Sequence, residues 1–216
     1  MSRPQDQLER IARSLNKSLE TAVGSVAEER RDPFFVLIAT IISLRTKDEV
    51  THAASRRLLS RASDPRGVAD LPLEEIETTI YPAGFYRNKA KQIKEASRII
   101  QERYGGETPR TLEELTALPG VGRKTANLVL GLGFGVPSIC VDIHVHRISN
   151  RLGWIETKTP EQSEFALMNL FSKESWIPLN VILVRFGQQR CTPVSPFCSS
   201  CPLIDECPQV GVQRSR

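Results

Sequence analysis

Four of the five cysteines in this 216-residue chain lie in one short segment, RCTPVSPFCSSCPLIDECP, at residues 190–208. Their spacing is C-x6-C-x2-C-x5-C, and the segment between them is a proline-containing loop. Whatever joins the four sulfurs therefore constrains the fold of this part of the chain more than any other feature does. The four residues are Cys191, Cys198, Cys201 and Cys207.

The cellular compartment decides between disulfides and a metal site. The segment MSRPQDQLERIARSL lacks the apolar core of a signal peptide, and the most apolar run, PFFVLIATIISL, is too short to span a bilayer. We therefore expect a cytoplasmic protein. Because thiols are kept reduced in that compartment, two structural disulfides are a poor explanation for the cysteine segment.

Two kinds of metal site use four thiolates, namely structural zinc and an iron–sulfur cluster. The six-residue first gap is wider than in the usual zinc-ribbon pair, and seventeen residues leave little room between two zinc knuckles. Compact sets of cysteines are typical of iron–sulfur proteins. The spacing favours a cluster and leaves zinc open.

The rest of the chain has the pattern of a helical globular protein. It is 40% hydrophobic and 25% charged, and apolar residues recur at the helical period. The run DPFFVLIATIISL is apolar nearly all round, which indicates a buried core helix with Asp32 as N-cap and Pro33 at its first position. No alternating strand pattern exceeds a few residues, so we predict the all-α class. Single helices are predicted for 6–23, 32–44, 48–62, 71–80, 87–104, 142–154, 159–171 and 174–190, and a helix, tight turn and helix for 108–134.

The formal net charge of +4 is compatible with a polyanionic partner without requiring one. The segment LPGVG at 118–122 predicts a tight turn between two helices, because its two glycines permit backbone angles closed to other residues. Exposed amides there, with Arg123 and Lys124 beside them, suit a DNA phosphate. An ordinary helical hairpin with glycines for close packing explains the same pattern.

Lys124 is expected in the first turn of the second helix of this hairpin. The positive end of the helix and the neighbouring Arg123 both disfavour a charged amine, and a neutral amine is a nucleophile that forms Schiff bases. Taken alone, a surface lysine is the simpler interpretation.

Asp142 lies eighteen residues further on, in CVDIHVHRI. The predicted helix is roughly 18 Å long and the connector 135–141 can extend to roughly 23 Å, so the chain can return and set Asp142 near Lys124. A carboxylate there could stabilise positive charge on a sugar carbon or help to move a proton. Asp142 is equally a candidate N-cap of the next helix, and the two roles are compatible.

Three motifs together give a resemblance to a known family. LPGVGRKTANLVL, VDIHVHRISNRLG and the cysteine spacing occur in an order and separation that resemble the endonuclease III family of DNA glycosylases, in the helix-hairpin-helix superfamily. The resemblance covers roughly residues 5–208. It implies a six-helix barrel at 26–137, with the hairpin motif at about 111–134. It further implies a cluster domain built from 1–25 and 138–216, and an active site in the cleft between the two domains.

The resemblance also implies the chemistry. A [4Fe-4S] cluster is bound by the four clustered cysteines, whereas Cys140 falls outside the set and is expected to be a small buried side chain. A damaged base, of the oxidised-pyrimidine type such as thymine glycol, is flipped out of duplex DNA. Lys124 attacks C1′ and forms a Schiff base, Asp142 assists, and β-elimination cuts the strand. The implied protein is a monomer that acts on damaged bases or abasic sites in the bacterial or archaeal nucleoid.

The implied DNA contacts come from the hairpin and from two other segments. In the loop after the second helix, many family members have a glutamine that fills the gap left by the flipped base, whereas this chain has Arg45 preceded by Leu44. An apolar wedge and an arginine could fill the same gap, or Arg45 could simply be a cation at a helix end. Tyr86, Arg87 and Lys89 are weaker candidates. The remaining implied contacts are Gly120, Val121, Gly122, Arg123, Thr125 and His144.

A second departure from the family lies between the first two clustered cysteines. Family members often place basic residues there for phosphates, but TPVSPF at 192–197 has none and only Arg190 precedes it. We therefore expect a shallower dependence of DNA affinity on salt than a basic loop would produce. Two other functions remain compatible with the motifs. These are a cluster-containing DNA-binding or damage-sensing module with little catalysis, and a monofunctional glycosylase that removes another base.

Overall fold

The computed structural model describes residues 2–15, 22–29 and 32–216, and all regular structure in these ranges is helical. The predicted all-α class is confirmed. A π-helical turn at Val129–Gly133 extends α9, and a short 3₁₀ turn covers Cys198–Ser200. The α-helices are α1 Pro4–Ser14, α2 Ala22–Glu29, α3 Pro33–Ser43, α4 Asp48–Arg61, α5 Pro65–Asp70, α6 Leu73–Ile80, α7 Tyr86–Tyr104, α8 Leu112–Thr116, α9 Arg123–Leu128, α10 Ile143–Arg151, α11 Pro160–Leu170 and α12 Lys173–Gln189.

The chain divides into two compact units, Thr21–Val136 and a second unit formed by Met1–Glu20 with Pro137–Arg216. The expected barrel began at residue 26, which would cut α2 in two. In the structure the whole of α2 belongs to the first unit because it packs on α3 and α4. None of the helices in the described ranges combines the length and the apolar character that crossing a membrane requires.

The core of the first unit is built around α3. Asp32 caps this helix by accepting a hydrogen bond from the amide of Phe34 at 2.9 Å, and Pro33 occupies its first position. Every residue from Phe34 to Ile42 is buried, as the uniformly apolar sequence predicts. Each fully buried aliphatic or aromatic side chain stabilises the fold by about 1.5–3 kcal/mol. The helix therefore serves as the hydrophobic centre on which α2, α4, α7, α9 and the π-helical turn pack.

At the C-terminal ends of three helices of this unit, a cationic side chain from another helix donates hydrogen bonds to the last carbonyls. Lys94 of α7 donates to the carbonyl of Ala69 at the end of α5 at 2.6 Å, and Arg57 of α4 donates to the carbonyl of Thr79 at the end of α6 at 2.8 Å. Lys89 of α7 does the same at the end of α3. Because the last carbonyls of a helix have no partner within it, these cations satisfy groups that would otherwise lack a hydrogen bond.

In the second unit, α12 packs against α1 and α10, and α10 packs against α11. The core includes Ile11, Ile148, Leu183 and Phe186, all of them fully buried. Glu206 fastens the N-terminal segment to the cysteine segment, because it accepts hydrogen bonds from the side chains of Ser2, Gln7 and Arg10. These bonds lower the pKa of Glu206 to about 2.

Two local predictions differ from the structure. The single helix expected over 6–23 ends at Ser14, where Leu15 is extended; residues 16–21 lie outside the described ranges. The helix α5 was not predicted, although its signals are present. Asp64 caps it by accepting from the amide of Gly67 at 2.7 Å, and Pro65 follows at the first position.

Candidate functional site

The LPGVG segment forms the predicted turn between α8 and α9. Gly120 has a φ of +80°, and a Cβ at this position would lie 2.9 Å from the side chain of Gln92 on α7. Glycine is therefore required here both by the backbone angle and by the close approach of a neighbour. A Cβ on Gly122 would meet nothing within 4 Å, so this side of the turn is open.

The turn offers fewer contacts than the sequence suggested. The side chain of Val121 is buried, and its amide donates to the carbonyl of Leu118 at 3.2 Å. The side chain of Thr125 is only 2% exposed. Both side chains face the core and the Val121 amide closes the turn, so a DNA contact at either position stays a prediction that these side chains do not support. Within the turn, Gly122 is exposed and Gly120 is half-buried.

Lys124 is the second residue of α9, and its side chain is exposed. The preceding Arg123 is half-buried. The neighbouring positions on the inner face, Thr125 to Asn127, are buried and hold the helix on the core. The first turn of α9 thus carries a primary amine to the surface on a rigidly packed element.

Asp142 is the N-cap of α10. Its Oδ1 atom accepts hydrogen bonds from the amides of His144 at 2.9 Å and Val145 at 2.8 Å. Both capping bonds use the same oxygen, so Oδ2 lies outside them. The carboxylate is half-buried and its orientation is set by the helix that it caps. Asp142 is therefore a helix cap, as predicted. Its Oδ2 atom takes no part in the two capping bonds.

The turn of α10 that follows Asp142 is packed tightly on α12. A Cβ at Gly187 would come closer than 3.0 Å to Nδ1 of His144, so only glycine fits opposite this ring. Arg147 places Nη2 at 3.2 Å from the same nitrogen and donates to the carbonyl of Cys191 at 2.8 Å. His144 is thus half-buried and held in place by packing. His146 has a packing role too, since its Nδ1 lies 2.7 Å from Oγ of Ser163.

The four clustered cysteines line one cavity in the second unit. Its other walls are mostly apolar and include Leu152, Phe186, Phe197, Ile204 and Val212. Burial raises the pKa of the Cys201 and Cys207 thiols. The described residues contain no group of three or more His, Cys, Asp or Glu side chains that could hold a single metal ion. Cys140 is buried away from this cavity, as predicted.

Arg151 supports the loop that carries the first thiol. Its Nη1 lies 3.6 Å from Sγ of Cys191 and donates to the carbonyl of Thr192 at 2.7 Å, while Nη2 donates to the carbonyl of Pro193 at 2.7 Å. These bonds hold the start of the loop, and with it the Cys191 sulfur, against α10.

The loop at 192–197 acquires a cation that the sequence did not place there. Arg216 donates through Nε to the carbonyl of Ser195 at 3.0 Å, and its guanidinium carbon lies 4.0 Å from the centre of the Phe197 ring. Backbone hydrogen bonds from Arg216 to Pro196 and from Ser199 to Arg216 fix this arrangement. No pattern within the loop itself could have indicated this contact.

The turn after α3 contains Leu44 and Arg45, the expected gap-filling pair. Leu44 is half-buried and Arg45 is exposed, with a left-handed φ of 53° and its guanidinium carbon 5.6 Å from the centre of the Phe85 ring. Phe85 is itself 64% exposed and was missed in the sequence, where no signal distinguishes it from a core aromatic.

Two of the three weaker DNA candidates lie at the surface near this turn, and the third does not. Arg87 is exposed above the ring of Tyr86, with its guanidinium carbon 5.3 Å from the ring centre, and Tyr86 is half-buried. Lys89 is only 4% exposed and its ammonium bonds to oxygens of the protein, so its interpretation as a DNA contact is corrected.

Comparison with known proteins agrees with these features. Residues 38–173 match the family model described as HhH-GPD superfamily base excision DNA repair protein. The chain is 50% identical to endonuclease III of Thermotoga maritima over 82% of this chain and 83% of that protein.

Two solved structures share the fold over nearly the whole chain. A trapped endonuclease III–DNA covalent intermediate, an estranged-adenine complex, is 36% identical with a TM-score of 0.83 over 95% of this chain and 94% of its own. A thermostable thymine-DNA glycosylase is 25% identical with a TM-score of 0.82 over 95% of each chain. The chain therefore belongs to the endonuclease III family of base-excision-repair DNA glycosylases and abasic-site lyases.

Proposed function

We propose that this enzyme removes oxidised pyrimidines, such as thymine glycol, from duplex DNA and then cuts the strand at the abasic site. The observation that carries the proposal is the exposed amine of Lys124, which follows the glycine turn on a packed helix. A relative of the same fold has been trapped as a covalent intermediate with DNA. An exposed lysine in this position supplies the group that such a bond needs.

Lys124 acts as the nucleophile. Its neutral amine forms a bond to C1′ of the damaged nucleotide as the bond to the base breaks, and the electron pair leaves with the base. Opening of the sugar ring produces a Schiff base. Loss of a proton from C2′ then expels the phosphate oxygen from C3′, and water finally hydrolyses the imine to regenerate the amine.

Asp142 stabilises the positive charge that develops at the sugar and helps to move the proton. Its Oδ1 is occupied by the two capping bonds, so Oδ2 takes this part. A carboxylate fixed by its own helix needs little reorganisation during the reaction, which strengthens its electrostatic effect.

Two kinds of contact position the DNA: the hairpin binds a phosphate, and other residues stabilise the duplex in the form in which a base is flipped out. The hairpin turn, open at Gly122 and flanked by Arg123, meets a phosphate through Gly120 and Gly122 without reading sequence. Leu44 and Arg45 fill the gap left by the flipped base, and His144 contributes from α10. The enzyme acts as a monomer on the DNA of a bacterial or archaeal nucleoid.

The four clustered cysteines hold a [4Fe-4S] cluster. The fit rests on four thiols that line one mostly apolar cavity and on the guanidinium of Arg151 beside the Cys191 sulfur. When bound, such a group cross-links the cysteine segment and can exchange electrons. Iron and sulfide analysis of the purified protein tests this against zinc. Cys201→Ser should lose iron, and Cys140→Ser, outside the set, should retain it.

Borohydride trapping tests the reaction on two duplexes, one with thymine glycol and one with an abasic site. The wild type should form a covalent adduct on both, and Lys124→Ala on neither. An adduct on the abasic duplex alone would retain the lyase and reject the thymine glycol substrate. Binding of both duplexes without an adduct would favour a DNA-binding module instead.

A third duplex with a G·T mismatch tests a monofunctional alternative. It is included because the chain shares its fold with a thymine-DNA glycosylase. Removal of the mismatched thymine without a trapped adduct would identify a monofunctional glycosylase on another base. Retention of thymine in this duplex, together with trapping on thymine glycol, supports the proposal.

A further inference from the structure

Lys89 is the most deeply buried lysine of the described chain, and it reaches three oxygens around the end of α3. Its Nζ donates to the carbonyl of Ile42 at 2.6 Å, to the carbonyl of Leu44 at 2.5 Å and to Oγ1 of Thr46 at 2.7 Å. An ammonium has three N–H donors, and all three are matched. All three acceptors are uncharged oxygens, so the protein has desolvated a cation without a carboxylate in this set.

These oxygens bracket Arg45 on both sides. A left-handed conformation at a residue other than glycine is strained and persists only where the surroundings determine it. Arg45 has a φ of 53°, with Leu44 before it and Thr46 after it. Lys89 thus contacts both neighbours of the strained residue, and helps to hold the turn in this form.

A second set of contacts fixes the other side of the same turn. Oγ1 of Thr46 also accepts a hydrogen bond from the amide of Gly84 at 3.1 Å, so this hydroxyl connects Lys89 to the segment before α7. A Cβ on Gly84 would come closer than 3.0 Å to the carbonyl oxygen of Arg45. Phe85, the next residue, carries the ring over which the Arg45 guanidinium lies.

We infer that Lys89 is a positioning residue for base extrusion, which acts by holding the turn of Leu44 and Arg45 in its gap-filling form. The inference rests on the proposed function, in which these two residues occupy the space left by the flipped base. Lys89 itself is buried and touches neither DNA nor the reacting sugar. It acts on the reaction only through the geometry of this turn.

Removal of the base and cleavage at an abasic site should depend differently on this turn. Extrusion of a base from the stack has a free-energy cost, and the residue that fills the gap offsets part of that cost. An abasic site has no base to unstack. Both reactions use Lys124, so the ratio of their rates reports on the turn and cancels effects on the nucleophile.

Lys94 offers a matched control within the same helix. It too donates to two carbonyls at the end of a helix, those of Ala69 and Leu71 at the end of α5, and both lie outside the Arg45 turn. Lys89→Met and Lys94→Met each remove one capping ammonium. A purely structural role for Lys89 predicts the same behaviour for both variants.

The experiment measures two single-turnover rates for each variant, base removal from a thymine glycol duplex and strand cleavage of a preformed abasic duplex. Lys89→Met should lower base removal about 10-fold to 100-fold, since small misplacements have effects of this size. Cleavage of the abasic duplex should change by less than about 3-fold, well below a misplacement effect. Lys89→Arg, which keeps N–H donors, should recover part of the loss. Lys94→Met should leave the ratio of the two rates unchanged.

Thr46→Val gives a second test that retains Lys89. It removes the hydroxyl that Lys89 and Gly84 share while it preserves the side-chain shape, and it should shift the ratio in the same direction. An unchanged ratio in both Lys89→Met and Thr46→Val, or an equal shift in Lys94→Met, overturns the inference. Failure of the proposed function appears separately, as a wild-type enzyme that removes no thymine glycol.

Discussion

The guanidinium of Arg216 lies over the ring of Phe197, 4.0 Å from its centre, and so places a cation on the loop between the first two clustered cysteines. That loop has no basic residue of its own. A loop without charge should contribute little to phosphate binding, and this was the expectation from the sequence. The contact with Arg216 reverses that expectation. It adds one positive charge to the surface of the loop, from a residue about twenty positions away in the chain.

Arg216→Ala should weaken binding to undamaged duplex DNA and make it less dependent on salt. Loss of one phosphate contact lowers the slope of log K against log salt by about 0.9. Affinity titrations over a range of salt concentrations measure this slope. Arg214→Ala is the matched control, since Arg214 is also exposed, in the same C-terminal segment. Equal slopes for Arg216→Ala and the wild type would show that the cation does not meet the DNA.

Asp142→Asn and Asp142→Ala should separate the structural role of Asp142 from its chemical one. Asparagine keeps the N-cap, whereas alanine should lower the free energy of unfolding by about 1 kcal/mol. Both variants should lose base removal by about 10²-fold to 10⁴-fold, because neither has a carboxylate. Denaturant titrations and single-turnover rates measure the two effects. Full activity of Asp142→Asn would reduce Asp142 to a capping residue.

Gly187→Ala should destabilise the protein by about 1–3 kcal/mol through overpacking. The added methyl group would meet Nδ1 of His144 closer than 3.0 Å and Nη2 of Arg147 at 3.0 Å. Gly122→Ala, with nothing within 4 Å of its Cβ, should show no overpacking and lose only the N-cap preference for glycine over alanine, about 0.5–1 kcal/mol. Urea denaturation compares the two. Similar midpoints would show that α10 and α12 can separate without penalty.

Lys89 should make the stability of the protein depend on pH in the alkaline range. Burial lowers its pKa from the ordinary 10.5 to about 8, so between these values the unfolded state holds a proton that the native state has lost. The free energy of unfolding of the wild type should therefore rise from pH 8 to pH 10.5 relative to Lys89→Met. Denaturant titrations of both proteins across this range measure the difference. A difference that stays constant or falls with pH would contradict a pKa lowered by burial.

Several parts of the fold and the candidate site could be predicted because their causes lie within a few residues. The cap at Asp32, the buried character of α3 and the glycine turn at Gly120 depend on hydrogen bonds and backbone angles between near neighbours. Asp142 as the cap of α10 belongs to the same class. The cysteine segment was recognised from spacing alone, since ligands to one group must lie close together.

Other features could not be predicted because they are contacts between distant residues. In the sequence, Lys89 is one of many basic residues on an amphipathic helix. Its ammonium is buried only because α7 packs against α3 in the folded protein. Thr125 and Val121 read as surface residues of a DNA-binding turn, but they face the core. Periodicity along the chain describes which residues share a face and leaves open what that face meets.

The sequence by itself determined the all-α class, the family and the set of clustered thiols, because these depend on local patterns and on residue type. Only the tertiary structure decided the strained turn at Arg45, the burial of Lys89 and the cation that Arg216 brings to the cysteine segment. The physical reason is that these contacts join segments tens of residues or more apart. Their free energy comes from packing and desolvation in the folded state, which no local pattern records.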